Sequence, residues 1–163
     1  MFHWAALGLG SNLGERKANL RKALAFLGRA GEIRKVSSLY EAAPLGLTDQ
    51  PSFLNAAALL ETVLNPRALL SEAKAIEEEL GRAPGPRWGP RVIDLDIISY
   101  DNLFLSEEGL KIPHPEMEQR RFVLEPLAEI LPHWVHPVSQ KSVEALLKEC
   151  PKQGCVRLGD LSV

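Results

Sequence analysis

Cysteine is nearly absent: two residues in 163, Cys150 and Cys155, with four residues between them near the C-terminus. That spacing is neither a C-x-x-C redox pair nor half of a zinc site, so two structural thiols in a reducing cytoplasm are expected. No apolar run approaches the roughly 20 residues that span a bilayer. The first residues, Met1-Phe2-His3-Trp4, lack a basic segment and a small-residue cleavage site, and they read as the start of a strand, not a signal peptide. Charge of one sign is also missing. Lys+Arg 19 against Asp+Glu 21 gives a net charge of -2, against the basic face of a general nucleic-acid binder. No segment is low-complexity, repeated or linker-like, and the composition is that of an ordinary globular chain. A chain of this length buries roughly 70% of its unfolded surface and needs neither disulfide nor structural metal. One domain over residues 1–163 is expected.

The pattern predicts an alternation of elements. Trp4 to Gly10 reads as a strand running into a glycine turn, with Ser11 or Asn12 as the cap of a helix carrying Leu20, Leu24 and Leu27. Ile33–Tyr40 and Phe53–Val63 read as strands. Asn65 caps, and Pro66 starts, a helix with an apolar stripe of Leu69, Ala73, Ile76 and Leu80. Val92–Ile98 is a fourth strand. Pro113–Arg121 reads as a loop, Pro126–Leu131 as a short helix and Ser142–Cys150 as a helix. The order β-α-β-β-α-β is that of a ferredoxin-like α+β fold, an antiparallel sheet with helices on one face plus a C-terminal extension.

Chemistry concentrates in Arg87-Trp88-Gly89-Pro90-Arg91-Val92-Ile93-Asp94-Leu95-Asp96-Ile97-Ile98. Strand alternation puts Ile93, Leu95 and Ile97 on one face and Asp94 and Asp96 together on the other, roughly 7 Å apart. Two like charges on one face of a hydrophobic strand repel, and a divalent cation resolves the conflict. Carboxylates suit Mg²⁺, completed by water and substrate phosphates. The competing reading is a solvated face, or ion pairs with Arg87 and Arg91. Arg82, Arg87 and Arg91 are a set of phosphate grips, and the Pro84-Gly85-Pro86 run between them suits a lid. No nucleophile or general base stands out, and this set fits phosphoryl-type transfer, where positioning and charge neutralisation dominate. The glycines Gly8 and Gly10 fail the dinucleotide spacing, because Leu13 stands where the third glycine belongs. His114, near Arg120 and Arg121, suits a phosphate contact or a structural role. Phe53, Trp88 and Phe122 suit either a core or a sandwich around a flat heteroaromatic ring, for which Asn55 offers an amide.

Seven ordered segments over about the first four-fifths of the chain resemble a known family. They are Gly8-x-Gly-Ser-Asn-Leu13, Ser37-Ser38-x-Tyr40, Pro44-Leu45-Gly46, Asp49-Gln-Pro-x-Phe-Leu-Asn-Ala56, Arg87-Trp-Gly-Pro-Arg-x-Ile-Asp-Leu-Asp-Ile97, Ile112-Pro-His114 and Arg120-x-Phe122. They are similar to 6-hydroxymethyl-7,8-dihydropterin pyrophosphokinases of folate biosynthesis. The resemblance implies a monomeric, cytoplasmic enzyme that moves pyrophosphate from ATP to the pterin hydroxymethyl group. It implies that Asp94 and Asp96 hold two Mg²⁺ ions, and that Arg82, Arg91, His114 and Arg120 contact ATP, with Glu77 and Ile97 near the nucleotide. It places Arg87 at the phosphates during turnover. Ala42, Pro44, Leu45, Phe53, Asn55, Trp88 and Phe122 would form the pterin site, with Trp88 and Phe122 stacking on the ring. Ala42 and Phe53 stand where many relatives have Thr and Tyr, Pro115 replaces a common aromatic, and the 82–91 segment is one residue shorter. A rival class is a non-catalytic ligand-sensing module of the same fold. An RNA-binding domain is disfavoured by charge and by the absence of an aromatic RNA-reading strand.

Overall fold

A computed structural model describes residues 1–42, 51–81 and 91–161. In chain order these hold β1 (His3–Ser11), α1 (Arg16–Leu27), β2 (Glu32–Val36), β3 (Ser38–Ala42), β4 (Phe53–Thr62), α2 (Pro66–Glu79) and β5 (Asp94–Tyr100). A small hairpin of β6 (Leu105–Glu107) and β7 (Leu110–Ile112) follows, then a 3-10 turn at Met117–Gln119, α3 (Arg121–Ile130), α4 (Val143–Glu149) and β8 (Cys155–Asp160).

The main sheet runs β5-β1-β4-β3-β8, with β2 also paired to β4, and every pairing is antiparallel. Its first four positions reproduce the expected ferredoxin-like order, and β8 adds an edge strand. Strand period places Leu7 and Leu9 of β1, Leu54, Ala56 and Leu60 of β4, and Leu95 and Ile97 of β5 on one face, where they pack with Leu20 and Leu27 of α1 and Leu69 and Ile76 of α2. Each large side chain so buried contributes roughly 1.5–3 kcal/mol. The alternate residues Ala6, Ala57, Leu59 and Ile98 meet Met117, Leu124, Leu127, Val143 and Leu146, so the C-terminal extension covers part of the other face. The small side chains of β1 and β4 let both faces be covered.

Several elements differ from expectation. The second strand breaks at Ser37, whose Oγ accepts from the Ala57 N–H at 2.8 Å and donates to the Ser38 carbonyl. A hydroxyl thus takes over a ladder bond, and the chain restarts as β3. The helix expected from Pro126 begins at Arg121, with Pro126 inside it. Proline gives up one helical N–H, but the buried face of Leu124, Leu127 and Ile130 holds the helix down. Neither Ser11 nor Asn12 caps α1. Glu15 occupies that position without a side-chain cap bond, and Asn12 is engaged elsewhere. The α2 start is as expected, with the Asn65 side chain accepting from the Ala68 N–H at 2.9 Å. The strand β8 carries no clear apolar signal: its Val156 and Leu158 are exposed, and it is joined to β3 by backbone pairing.

Candidate functional site

β5 sets the first wall. Asp94 pairs across the ladder with Gly10, and Asp96 with Gly8. Ile93, Leu95 and Ile97 are in the core, so both carboxylates share the opposite face, as the alternation predicts. Both are partly exposed. The two glycines put bare backbone beside them.

The same row of residues continues across the sheet. Gly10 pairs with Asn55 of β4, and Asn55 with Tyr40 of β3. Asp94 and Asn55 are therefore two strand spacings apart, about 10 Å, on one face. A β-carbon at Gly10 would lie 3.0 Å from Asn55 Oδ1 and 3.5 Å from the Phe53 ring, so the glycine gives the amide its room. Asn55 is 6% exposed, and its Nδ2 finds no hydrogen-bond partner among the described residues. A dehydrated amide donor left unsatisfied costs about 1–3 kcal/mol, and a ligand acceptor would remove that cost. Ala42 and Phe53 face each other two pairs further along, on the same face, and Ala42 and Tyr40 are buried. Neither Ala42 nor Phe53 brings a hydroxyl, so this wall is apolar apart from the amide.

The loop after β7 brings the next groups. His114 N–H donates to the Ile98 carbonyl at 2.9 Å, which docks the segment onto β5. His114 Nδ1 accepts from the Glu116 N–H at 3.2 Å, which assigns the proton of the neutral ring to Nε2. Burial pushes the imidazole below its ordinary value, against the opposite pull of Glu116 and Asp94, so the ring is a neutral donor at pH 7. Arg120 pairs with Glu116 at 2.9 Å and its charge is felt at His114. Asp94, His114 and Arg120 thus share a neighbourhood. Phe122 stands in the first turn of α3, which packs on β3 and β4 beside this face.

Glu77 was expected near the nucleotide. Its carboxylate is 2% exposed and accepts from the Leu95 N–H at 2.7 Å, with Lys74 3.5 Å away. It therefore ties α2 to the open edge of β5 between the two aspartates. The Ile97 side chain is in the core, so only its backbone is left to meet a ligand. Arg82, Arg87, Trp88, Pro44 and Leu45, with the Pro84–Pro86 run expected as a lid, lie outside the described residues.

Asn12 and Arg16 were not picked out as site residues. Asn12 is 1% exposed, and its Oδ1 accepts from the Arg91 N–H at 2.7 Å while its Nδ2 donates to the Pro51 carbonyl at 3.1 Å. Arg16 donates to Glu41 and to the Ser52 carbonyl at 2.8 and 2.9 Å. An available signal was the distance of Asn12 from the helix, four residues before Arg16 and too early for a cap. Burial pushes the Cys155 thiol up to about 11 and raises Cys150 as well, away from the nucleophilic range.

Two carboxylates on one face fit Mg²⁺, which takes one or two protein carboxylates and fills its remaining positions with water and phosphate. Among the described residues no group of three or more His, Cys, Asp or Glu is placed to hold a metal ion.

Comparison with known proteins identifies the family. Residues 6–132 match the family model of 7,8-dihydro-6-hydroxymethylpterin-pyrophosphokinase. The chain is 49% identical over 128 residues to a 2-amino-4-hydroxy-6-hydroxymethyldihydropteridine pyrophosphokinase of Bacillus subtilis (strain 168), covering 77% of each chain. It is 44% identical over 154 residues to the protein of the same name from Pseudomonas aeruginosa, covering 93% of this chain and 94% of that one. In fold it matches a Plasmodium falciparum HPPK-DHPS crystal structure with TM-score 0.74 and 17% identity, over 91% of this chain and 42% of that one. No helix among the described residues is long and apolar enough to cross a membrane. The chain belongs to the 7,8-dihydro-6-hydroxymethylpterin-pyrophosphokinase family.

Proposed function

We propose that this face of the sheet binds 6-hydroxymethyl-7,8-dihydropterin at the Asn55 end and ATP at the Asp94–Asp96 end, and transfers pyrophosphate between them. The chain is a transferase of the pyrophosphokinase family of folate biosynthesis. The observation that carries the site assignment is the row Asp94–Gly10–Asn55, a buried unsatisfied amide and an acidic strand across a glycine floor.

The pterin hydroxyl oxygen attacks the β-phosphorus of ATP, the bond from that phosphorus to the α-phosphate bridging oxygen breaks, and AMP leaves with the bond's electron pair. The hydroxyl proton goes to water. Asn55 orients the flat ring through its amide, with Ala42, Pro44, Leu45 and Phe53 lining the site and Trp88 and Phe122 stacking. Arg82, Arg91 and Arg120 hold phosphate oxygens, the neutral His114 donates from Nε2, and Arg87 takes up charge in transit. Glu77 holds the β5 edge against α2 where the Ile97 backbone meets the nucleotide. Asp94 and Asp96 would hold two Mg²⁺ ions, which would neutralise phosphate charge and favour the hydroxyl as nucleophile. Alignment of the two substrates supplies the rest. Residues 1–163 work as one domain, a monomer in the cytoplasm.

Incubation with ATP, Mg²⁺ and the hydroxymethyl dihydropterin tests the reading. AMP and a pterin diphosphate are the expected products. ADP, or intact ATP with ligand bound equally well without magnesium, overturns it, and the latter result marks a ligand sensor.

A further inference from the structure

We infer that Asn12 is a positioning residue that registers the pterin-binding strand with the strand that carries the metal ligands, and so couples the binding of the two substrates. This rests on the function proposed above.

Asn12 leaves the end of β1 with its side chain dehydrated and both halves of its amide committed. Oδ1 holds the Arg91 N–H at 2.7 Å, and Nδ2 holds the Pro51 carbonyl at 3.1 Å. The backbone adds a third bond, Asn12 N–H to the Arg91 carbonyl at 3.0 Å. Arg91 is three residues before Asp94, and Pro51 is two residues before Phe53 and four before Asn55. One side chain thus fixes the chain segments that lead into both halves of the site. The sheet alone does not do this there, because the β1–β5 ladder ends at the Gly10–Asp94 pair and the β1–β4 ladder at Ser11–Leu54. Past those pairs, Asn12 replaces the ladder with a two-sided clamp.

The amide chemistry is specific. Arg91 N–H needs an acceptor and the Pro51 carbonyl needs a donor, and asparagine is the short side chain that supplies both from one planar group. Arg16 braces the pterin side independently, joining Glu41 to the Ser52 carbonyl. A ligand that pulls on Phe53 and Asn55 therefore moves Pro51 against Asn12, and Asn12 against Arg91. For an in-line transfer, a misplacement of about 1 Å can cost about a hundredfold in rate.

Calorimetry tests this, with magnesium and α,β-methylene-ATP as one probe and 6-hydroxymethylpterin as the other. In the unaltered protein each probe should tighten binding of the other by about fivefold or more. Asn12→Ala should leave each probe alone within about threefold, abolish the mutual tightening and lower kcat by at least about tenfold. Asn19→Ala, which loses bonds to Ser11 and Leu13 in the same turn, should keep the tightening and the rate. A folded Asn12→Ala with coupling and kcat intact overturns the proposal, and so does an equal loss in Asn19→Ala. A second measurement needs no variant: pterin alone should slow hydrogen exchange of the Arg91 amide, and unchanged exchange also overturns the proposal. An unaltered protein that binds neither probe overturns the proposed function itself and takes this inference with it. Binding and AMP release without coupling sink the inference alone.

Discussion

Asp94 is paired across the β5–β1 ladder with Gly10, and that glycine is also the partner of Asn55 on the other side. The acid and the amide are held apart by a residue with no side chain. Gly10→Ala would push a methyl to 3.0 Å from Asn55 Oδ1, so the amide must turn away from its ligand position. The KM for pterin should rise about tenfold, equivalent to about 1.4 kcal/mol, while nucleotide affinity changes less. Steady-state kinetics with each substrate varied separately checks the split.

Asp96→Ala should leave the fold intact, because the side chain is partly exposed and faces away from the α1–α2 core. Turnover should drop by about two orders of magnitude or more if the carboxylate organises phosphate charge. Near-normal AMP release from the purified variant, with an unchanged melting curve, removes Asp96 from the mechanism.

Gly31 lies in the turn between α1 and β2, against the end of β4. A β-carbon there would sit 2.2 Å from the Glu61 carbonyl oxygen and 3.1 Å from the Thr62 Cα. Backbone cannot swing aside as a flexible side chain can. Gly31→Ala is expected to cost about 1–3 kcal/mol, read from urea unfolding, with the KM values unchanged.

Glu129 links α3 to the β3 edge. Burial alone would raise its carboxyl, but the Ser38 N–H, the Tyr40 hydroxyl and the Arg157 charge outweigh that and hold it below the ordinary carboxylate range. Its two main bonds are 2.7 Å each. A depressed folded value means that the unfolded chain takes up the proton first on acidification. The stability that Glu129 contributes is therefore complete above about pH 4.5 and is lost as pH falls through the folded value. Urea midpoints taken between about pH 6 and 3 should decline less steeply in Glu129→Gln than in the unaltered protein.

The alternation of Ile93, Leu95 and Ile97 with Asp94 and Asp96 was enough to place both acids on one face, because side-chain direction in a strand has a period of two and needs no tertiary information. The Asn65-Pro66 start of α2 and its Leu69–Ile76 stripe were legible for the same local reason. The amino-acid order also carried the family and the ferredoxin-like succession of elements. It could not show that Gly10 stands between Asp94 and Asn55, since those residues are far apart in the chain and meet only through antiparallel pairing of three strands. Nor could it show that Asn12 spans Arg91 and Pro51 instead of capping α1, or that Glu77 turns inward to the Leu95 amide. Periodicity reports which way a side chain leaves its own element. Which partner satisfies a buried polar atom depends on the register between elements, and packing of the whole sheet with its helices set that register.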